Sequence, residues 1–316
     1  MDQLRAMRVF SRVIDHGGFS KAALALDIAP AVATRLVAEL EEHLGARLIN
    51  RTTRRLALTD VGEDYLERVR SILSEVDDAE AVAGMSTVEP RGRLSVLSPP
   101  GFTVHQLTKH LPRFRALYPR VTIDLDVAPS VEAPDENHDV TIIVQRLRPI
   151  EGAFIARRIA GCEVVLCATP EYLDLHGRPK HPHDLALHDT LMPIPPSEQR
   201  ELRFLSAACS GQTVTVELGK APPLMTQHTD TLYAAALAGM GIAGLPSFVA
   251  EDALLEHALE RVLPQWHLST VTLFAAMPTR KHVPMRTRAF VDFLVATFGA
   301  ESRDPWLRSA GCESCP

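Results

Sequence analysis

"FSKAALALDIAPAVATRLVAELEEHLGARLINRTTRRLALTDVG" fills residues 19–62, and its pattern decides the architecture of the N-terminal part of the chain. Pro30 suits the first position of a helix, and Ala33, Leu36, Val37, Leu40 and Leu44 recur at three and four until Gly45 stops it. The opposite face carries Ala31, Thr34, Arg35 and Ala38. Upstream, Ser20 reads as the N-cap of a short helix over residues 21–26, with Phe19 and Leu24 placed as a hydrophobic staple. An earlier helix over residues 2–15 is marked by Leu4, Met7, Phe10, Val13 and Ile14, and "HGG" breaks it. Downstream, Leu48 and Ile49, then Leu56 and Leu58, flank "NRTTRR" as the two arms of a hairpin.

Three short helices followed by a hairpin form a winged helix-turn-helix, in which the third helix enters a major groove. Its alanines keep that helix slim, Thr34 can donate, accept or touch a thymine methyl, and Arg35 can meet guanine or phosphate. The wing concentrates Arg51, Arg54 and Arg55 in a chain whose formal net charge is -6. Such a local basic face meets backbone or minor-groove potential whatever the total charge, and Thr52 and Thr53 add neutral phosphate donors. The expected DNA-contacting set is therefore Ser20, Lys21, Pro30, Ala31, Thr34, Arg35, Arg51, Thr52, Thr53, Arg54 and Arg55.

Composition agrees with a multidomain protein. The 316 residues exceed one usual core, and 46% hydrophobic with 23% charged residues is ordinary for a globular chain. No apolar run reaches membrane-spanning length and the N-terminus shows no secretory core, so a cytoplasmic protein without membrane contact is expected. Five cysteines, Cys162, Cys167, Cys209, Cys312 and Cys315, argue against a disulfide framework.

After the wing, Thr59 can cap a helix over residues 60–85, roughly 39 Å long. Tyr65, Val69, Ile72, Val76, Ala79 and Ala83 alternate by four and three as a heptad seam, which reads as a dimerising helix; the other reading is an amphipathic helix lying on its own core. "STVEPRG" over residues 86–92 is a hinge. Beyond it, an α/β region alternates strands at residues 94–97, 121–127, 140–144, 164–168, 242–245 and 271–276 with helices, the first over residues 104–118. Several strands are apolar on both faces, as parallel sheets require.

With those residues in place, the chain resembles the LysR-type transcriptional regulators. The quoted stretch follows that family's winged helix-turn-helix, and "HDVTIIV", "CATPEYLDLHGRP", "HPHDLALHD", "AAALAGMGIAGLP" and "MRTRAFVDFL" extend the likeness to about Ala300. One departure stands out: where the family usually has a serine N-cap and a polar residue within the recognition helix, this chain has Ala29, Pro30 and Ala31. Losing the cap oxygen costs on the order of 1 kcal/mol and places more of the base reading on Thr34 and Arg35.

The resemblance implies a winged helix-turn-helix over residues 1–59, a linker helix and hinge over 60–91, and a two-lobed, periplasmic-binding-protein-like effector domain over 92–300. The first lobe would hold about 92–161 and 269–300 and the second about 162–268, with 301–316 a flexible tail. It also implies a homo-oligomer, dimer or tetramer, that binds double-stranded promoter DNA and a small-molecule effector. Following the family's pattern, the effector would meet Ser98, Gly101, Phe102, Thr103 and Ser130, faced by Gln227, His228 and Thr229, with Met192, Ile194, Pro246 and Phe248 as apolar walls.

Catalytic readings are weaker. "GMGIAG" over residues 239–244 spells a dinucleotide fingerprint in reversed order, helix before strand, so Gly239 or Gly241 reads as a helix C-terminal turn and no cofactor is expected. His181 and His183 sit beside prolines without a metal-ligand pattern, and "CESC" reads as a frayed end with two exposed thiols. Two alternatives remain. One is a small-molecule-binding protein or enzyme that uses the N-terminal helices for assembly; the other is a thiol-sensing regulator acting through Cys162, Cys167 or Cys209.

Overall fold

The computed structural model describes residues 2–52, 55–83, 89–129, 131–145, 154–191, 201–206, 212–219, 221–278, 283–301 and 303–312, without the side chains of 51, 52, 55, 71, 74, 75 and 77–83. It divides into two compact units, Met1–Glu89 and Pro90–Pro316. No helix among the described residues is long and apolar enough to cross a membrane.

In the first unit, α1 (Gln3–Asp15) is capped by Asp2, whose carboxylate accepts from Arg5 N at 3.1 Å. It buries Ala6, Met7, Val9, Phe10 and Val13, whereas Leu4, expected in the stripe, is exposed. The next helix, α2, spans Phe19–Ala25 and is capped by Gly18 with no side-chain hydrogen bond. Ser20 therefore lies inside the helix and is not its cap. Leu24 is 85% exposed, so the staple with Phe19 does not form; Phe19 turns into the core instead. In α3 (Pro30–Leu44) Ala33, Leu36, Val37 and Leu40 of the expected stripe are buried and Leu44 is half-buried, and Gly45 ends the helix at φ 64°, where only a residue without Cβ sits at no cost.

The hairpin follows as β1 (Ile49–Thr52) and β2 (Arg55–Leu58), with Ile49 opposite Leu58 and Thr52 opposite Arg55. Thr53 and Arg54 lie outside the described residues. The hairpin is fixed at both roots. Glu41 Oε1 accepts from Leu48 N and Ile49 N at 2.8 and 3.0 Å, so a carboxylate of α3 satisfies the entering strand. At the exit, Thr59 N donates to Leu48 O, Thr59 Oγ1 donates to Arg47 O, and the same oxygen accepts from Gly62 N as the expected cap.

The long helix α4 spans Asp60–Ala83; Met85, its expected last residue, lies outside the described residues. Its seam is corrected at one end. Tyr65 sits 6.0 Å from the Phe10 ring and Val69 is fully buried within the single chain, so both belong to the unit's own core, where α4 packs on α1. Ile72 is exposed and Val76 half-buried, while the Ala79 and Ala83 side chains lie outside the described residues.

The second unit is mixed α/β. Strand β3 (Gly92–Ser98) is followed without a break by α5 (Pro100–Phe102), a π-helical turn (Thr103–Leu107) and α6 (Thr108–Leu117). Next come β4 (Val121–Val127), β5 (Val140–Gln145), β6 (Phe154–Ala168), α7 (Pro170–His176), a 3-10 turn (Pro182–Leu187) and β7 (Thr190–Leu191). Two strands not foreseen from the sequence, β8 (Glu201–Ser206) and β9 (Thr213–Glu217), form a hairpin. They are followed by α8 (Thr229–Leu237), β10 (Ile242–Pro246), α9 (Ser247–Leu255), β11 (Glu260–Val262), β12 (Trp266–His267), β13 (Ser269–Pro278), α10 (Met285–Phe298) and α11 (Pro305–Ser309).

The main sheet runs β4-β3-β5-β13-β6-β10-β7, with β11 on β6; β12, β8 and β9 make a separate sheet. Pairing is parallel among β4, β3 and β5 but antiparallel where β13 meets β5 and β6 and where β10 meets β6, so the expected parallel sheet is a mixed one. Two strands are shared between the lobes. β13 pairs along its whole length with residues 154–164 of β6, while residues 164–167 of β6 pair with β10. In that register Gly161 stands opposite Thr272 and Val164 opposite Ser269.

The C-terminal residues correct the sequence reading. Residues 303–312 are packed, not a free tail: Asp304 caps α11, Trp306 and Leu307 are buried, and Cys312 is half-buried. Cys315 lies outside the described residues.

Candidate functional site

The outer face of α3 is built from small and polar residues because its inner face must fill the helical core. Ala31, Arg35 and Ala38 are exposed, Thr34 is half-buried, and Ser20 and Lys21 of α2 are exposed. Ala29 supplies no side-chain cap, and Pro30 has no N–H to satisfy. Thr34 Oγ1 donates to Pro30 O at 3.0 Å, which leaves its methyl and lone pairs facing outward. Its outward hydroxyl role is therefore that of an acceptor. Arg35 is 69% exposed and meets Glu39 at 3.6 Å, a surface pair too weak to hold it from another partner. Arg51, Thr52 and Arg55 lie on the wing strands, their side chains outside the described residues.

Of the expected effector-site residues, Ser98 ends β3 immediately before the helical segment. Its side chain is 1% exposed, and its Oγ has no hydrogen-bond partner among the described residues. Thr103 is buried with its hydroxyl donating to Pro99 O, a helix back-bond. Phe102 and Phe248 do not line an open wall: they are buried edge to face at 5.7 Å in an aromatic cluster with Phe298 and Trp306. Gln227 and His228 are exposed, Thr229 and Pro246 half-buried. Ser130, Met192 and Ile194 lie outside the described residues.

Gly101, and several residues that the sequence did not single out, bring the first helical segment against α8 and α9. A Cβ on Gly101 would lie 3.3 Å from Val249 and 3.5 Å from Asp230 Oδ1, so this helical start abuts α8 and α9 closely. His105 Nε2 lies 3.1 Å from Asp230 Oδ1, Gln106 Nε2 donates to Phe248 O and Glu251, and Lys109 pairs with Asp252 at 2.5 Å. His105 and Gln106 stand on the π-helical turn. A local reading had no signal for these contacts, because each partner is more than a hundred residues away in the chain.

The connection from β4 to β5, which includes Ser130, is fastened at its end by His138. Its Nε2 lies 3.0 Å from Asp126 Oδ2 and its Nδ1 3.2 Å from Asp135 Oδ1, with the side chain 13% exposed. Nε2 hydrogen-bonds Asp126, while Nδ1 faces Asp135 as an ion pair without hydrogen-bond geometry. Burial disfavours the cation, but the two carboxylates outweigh it and the His138 pKa is raised. A raised folded-state value gives stability that is full below the unfolded value, about 6.5, and is lost as pH rises through the folded value. The melting temperature of the second unit is expected to fall as pH is raised from about 6 to about 9, and His138→Gln to flatten that slope. Equal slopes in both proteins would refute the assignment.

Gly239 (φ 73°) closes α8, with its N–H donating to Ala236 O; a Cβ on Gly241 would fall 2.3 Å from Asp189 O. The glycine pattern is thus a helix C-terminal turn and a close backbone approach. His181 caps the 3-10 turn together with Asp184. Cys162 and Cys167 are fully buried, and burial raises both thiols, that of Cys167 to about 12.

Comparison with known proteins assigns both units. Residues 4–63 match the bacterial regulatory helix-turn-helix protein, lysR family, and residues 88–299 match the LysR substrate binding domain. The chain is 32% identical to an HTH-type transcriptional repressor of Pseudomonas aeruginosa strain UCBPP-PA14, over 94% of this chain and 93% of that protein. It is 30% identical to the HTH-type transcriptional regulator CrgA of Neisseria meningitidis serogroup B, over 93% and 96%. The structure of CrgA, a LysR-type transcriptional regulator, aligns at TM-score 0.58 and 29% identity, covering 93% of this chain and 98% of that one. Full-length AphB of Vibrio cholerae shares the fold at TM-score 0.56 and 24% identity, over 93% and 99%. With a family model spanning most of the effector unit and another the DNA-binding unit, this chain belongs to the LysR family of transcriptional regulators.

Proposed function

We propose that this regulator reads double-stranded promoter DNA with Thr34 and Arg35 of α3, while Arg51, Arg54 and Arg55 of the wing meet the phosphate backbone. The supporting observation is the solvent-facing, uncapped start of α3, where small alanines surround an acceptor-poised threonine and an exposed arginine held only by a surface pair with Glu39. Ser20, Lys21, Pro30, Ala31, Thr52 and Thr53 complete the contact surface. Two copies pair through the distal part of α4, at Ile72, Val76, Ala79 and Ala83, after Tyr65 and Val69 have served each unit's own core.

The effector is a small polar molecule held near the C-terminal end of β3, where the buried Ser98 hydroxyl awaits a partner. A ligand with unequal affinity for two arrangements of the lobes would shift the oligomer between them. A thiol-sensing role for Cys162 or Cys167 is disfavoured, because a buried thiol with a raised pKa yields little thiolate. No catalytic role is assigned.

Fluorescence anisotropy across a salt series, with DNA from directly upstream of the gene and scrambled DNA of equal length, tests this reading. Preference for the upstream fragment is expected, and Arg54→Ala should weaken binding to both while reducing the salt slope by about 1. Equal, weak binding of both fragments by the folded protein would remove promoter recognition from the proposal.

A further inference from the structure

The matched effector-domain pattern ends at residue 299, yet the chain continues as ordered, packed structure. Gly299 (φ 89°) closes α10 and turns the chain onto β6, where Ala300 N donates to Ile159 O at 2.8 Å and Gly161 N donates to Glu301 O at 3.1 Å. These contacts fasten β6 at Ile159 and Gly161, beside the expected crossing between lobes.

The carboxylate of Asp304 is the next fastening. Its Oδ2 accepts from Glu163 N and from Ser247 Oγ, both at 2.6 Å, while its Oδ1 accepts from Trp306 N and Leu307 N. Four donors from β6, α9 and α11 thus converge on one side chain. Trp306 then lies between lobes: its ring is 6.4 Å from Phe102 and 5.8 Å from Phe298 in the first, and 5.6 Å from Phe248 in the second. Beyond it, Leu307 enters the second lobe's core, Ser309 bonds Glu251 of α9, and Arg261 donates to Cys312 O while pairing with Glu163 at 3.0 Å.

We propose that residues 299–312 are a strap across the lobe junction, which holds the two lobes at one angle and sets how far any ligand can reorient them. The strap crosses at the shared strands, so a small rotation there would separate Trp306 from one of its aromatic neighbours and pull Asp304 from β6 or α9. Lobe motion therefore requires the strap to yield. Asp304 and Trp306 are its positioning residues.

Hydrogen exchange read by mass spectrometry on the full-length protein and on a chain ended after Ala300 tests this. Amides at residues 160–164 and 269–272 are expected to exchange at least about tenfold faster in the shortened chain, those of β3 and β4 at unchanged rates. A synthetic peptide of residues 301–316, added under reducing conditions, should restore protection. Asp304→Asn and Trp306→Leu in the full chain should raise exchange at the same amides, and they carry the test if the shortened chain does not fold. Unchanged junction amides, or a uniform rise over both lobes that the peptide does not reverse, would overturn the proposal.

Discussion

Replacing Arg35 by alanine should lower affinity for promoter DNA by roughly 5- to 150-fold, the 1–3 kcal/mol of one good base-edge contact. The side chain is 69% exposed and its pair with Glu39 spans 3.6 Å, so the substitution removes nothing from the folded core. Stability should accordingly change by no more than ordinary surface substitutions do, about ±0.5 kcal/mol. The loss should also be selective. If Arg35 reads a base edge, affinity for scrambled DNA falls little and the salt slope is preserved; a phosphate contact would weaken both DNAs and flatten the slope. Anisotropy with the two fragments decides between them, and undiminished affinity for the upstream fragment would remove Arg35 from the interface.

The second large effect concerns a residue that touches no DNA. A Cβ on Gly62 would lie 2.1 Å from Leu48 O and 2.9 Å from Leu48 C, both backbone atoms. Leu48 cannot retreat, because it is fully buried, its N–H is bound by Glu41 and its carbonyl by Thr59 N. Gly62→Ala must therefore push α4 away from the wing root, costing about 1–3 kcal/mol or more, as forced overpacking does. For a unit of this size each kcal/mol lowers the transition by about 4–8 °C. Calorimetry should show the DNA-binding unit melting earlier while the effector unit is unchanged, and DNA affinity should fall because the wing no longer has a fixed root. A wild-type melting profile in Gly62→Ala would contradict this geometry.

The parts of this architecture that could be read in the sequence are those whose cause is local. The stripe of α3, the Gly45 stop, the arginine hairpin and the Thr59 cap all follow from residues within a few positions of one another, and all are present. Ser20 shows how a local rule loses to packing: Phe19 must reach the core, so the helix starts two residues earlier and Leu24 rotates into solvent. Tyr65 and Val69 fit a heptad seam by spacing alone, but spacing could not reveal that α1 already covers them. The tail looked featureless because its polar composition hides Asp304 and Trp306, whose partners Glu163, Ser247, Phe102 and Phe248 are all distant in sequence. His105 and Asp230 escaped notice for the same reason.

The pairing of β6 with β13 has a consequence during synthesis. Val164 finds its partner Ser269 only after about a hundred further residues have been made, and until then β6 offers an unpaired edge. At about 5–20 residues per second the emerging chain holds that edge open for at least several seconds, long enough to need protection from other nascent chains. The helical DNA-binding unit, whose contacts are short-range and complete by Glu89, leaves the ribosome able to fold well before its own sensor.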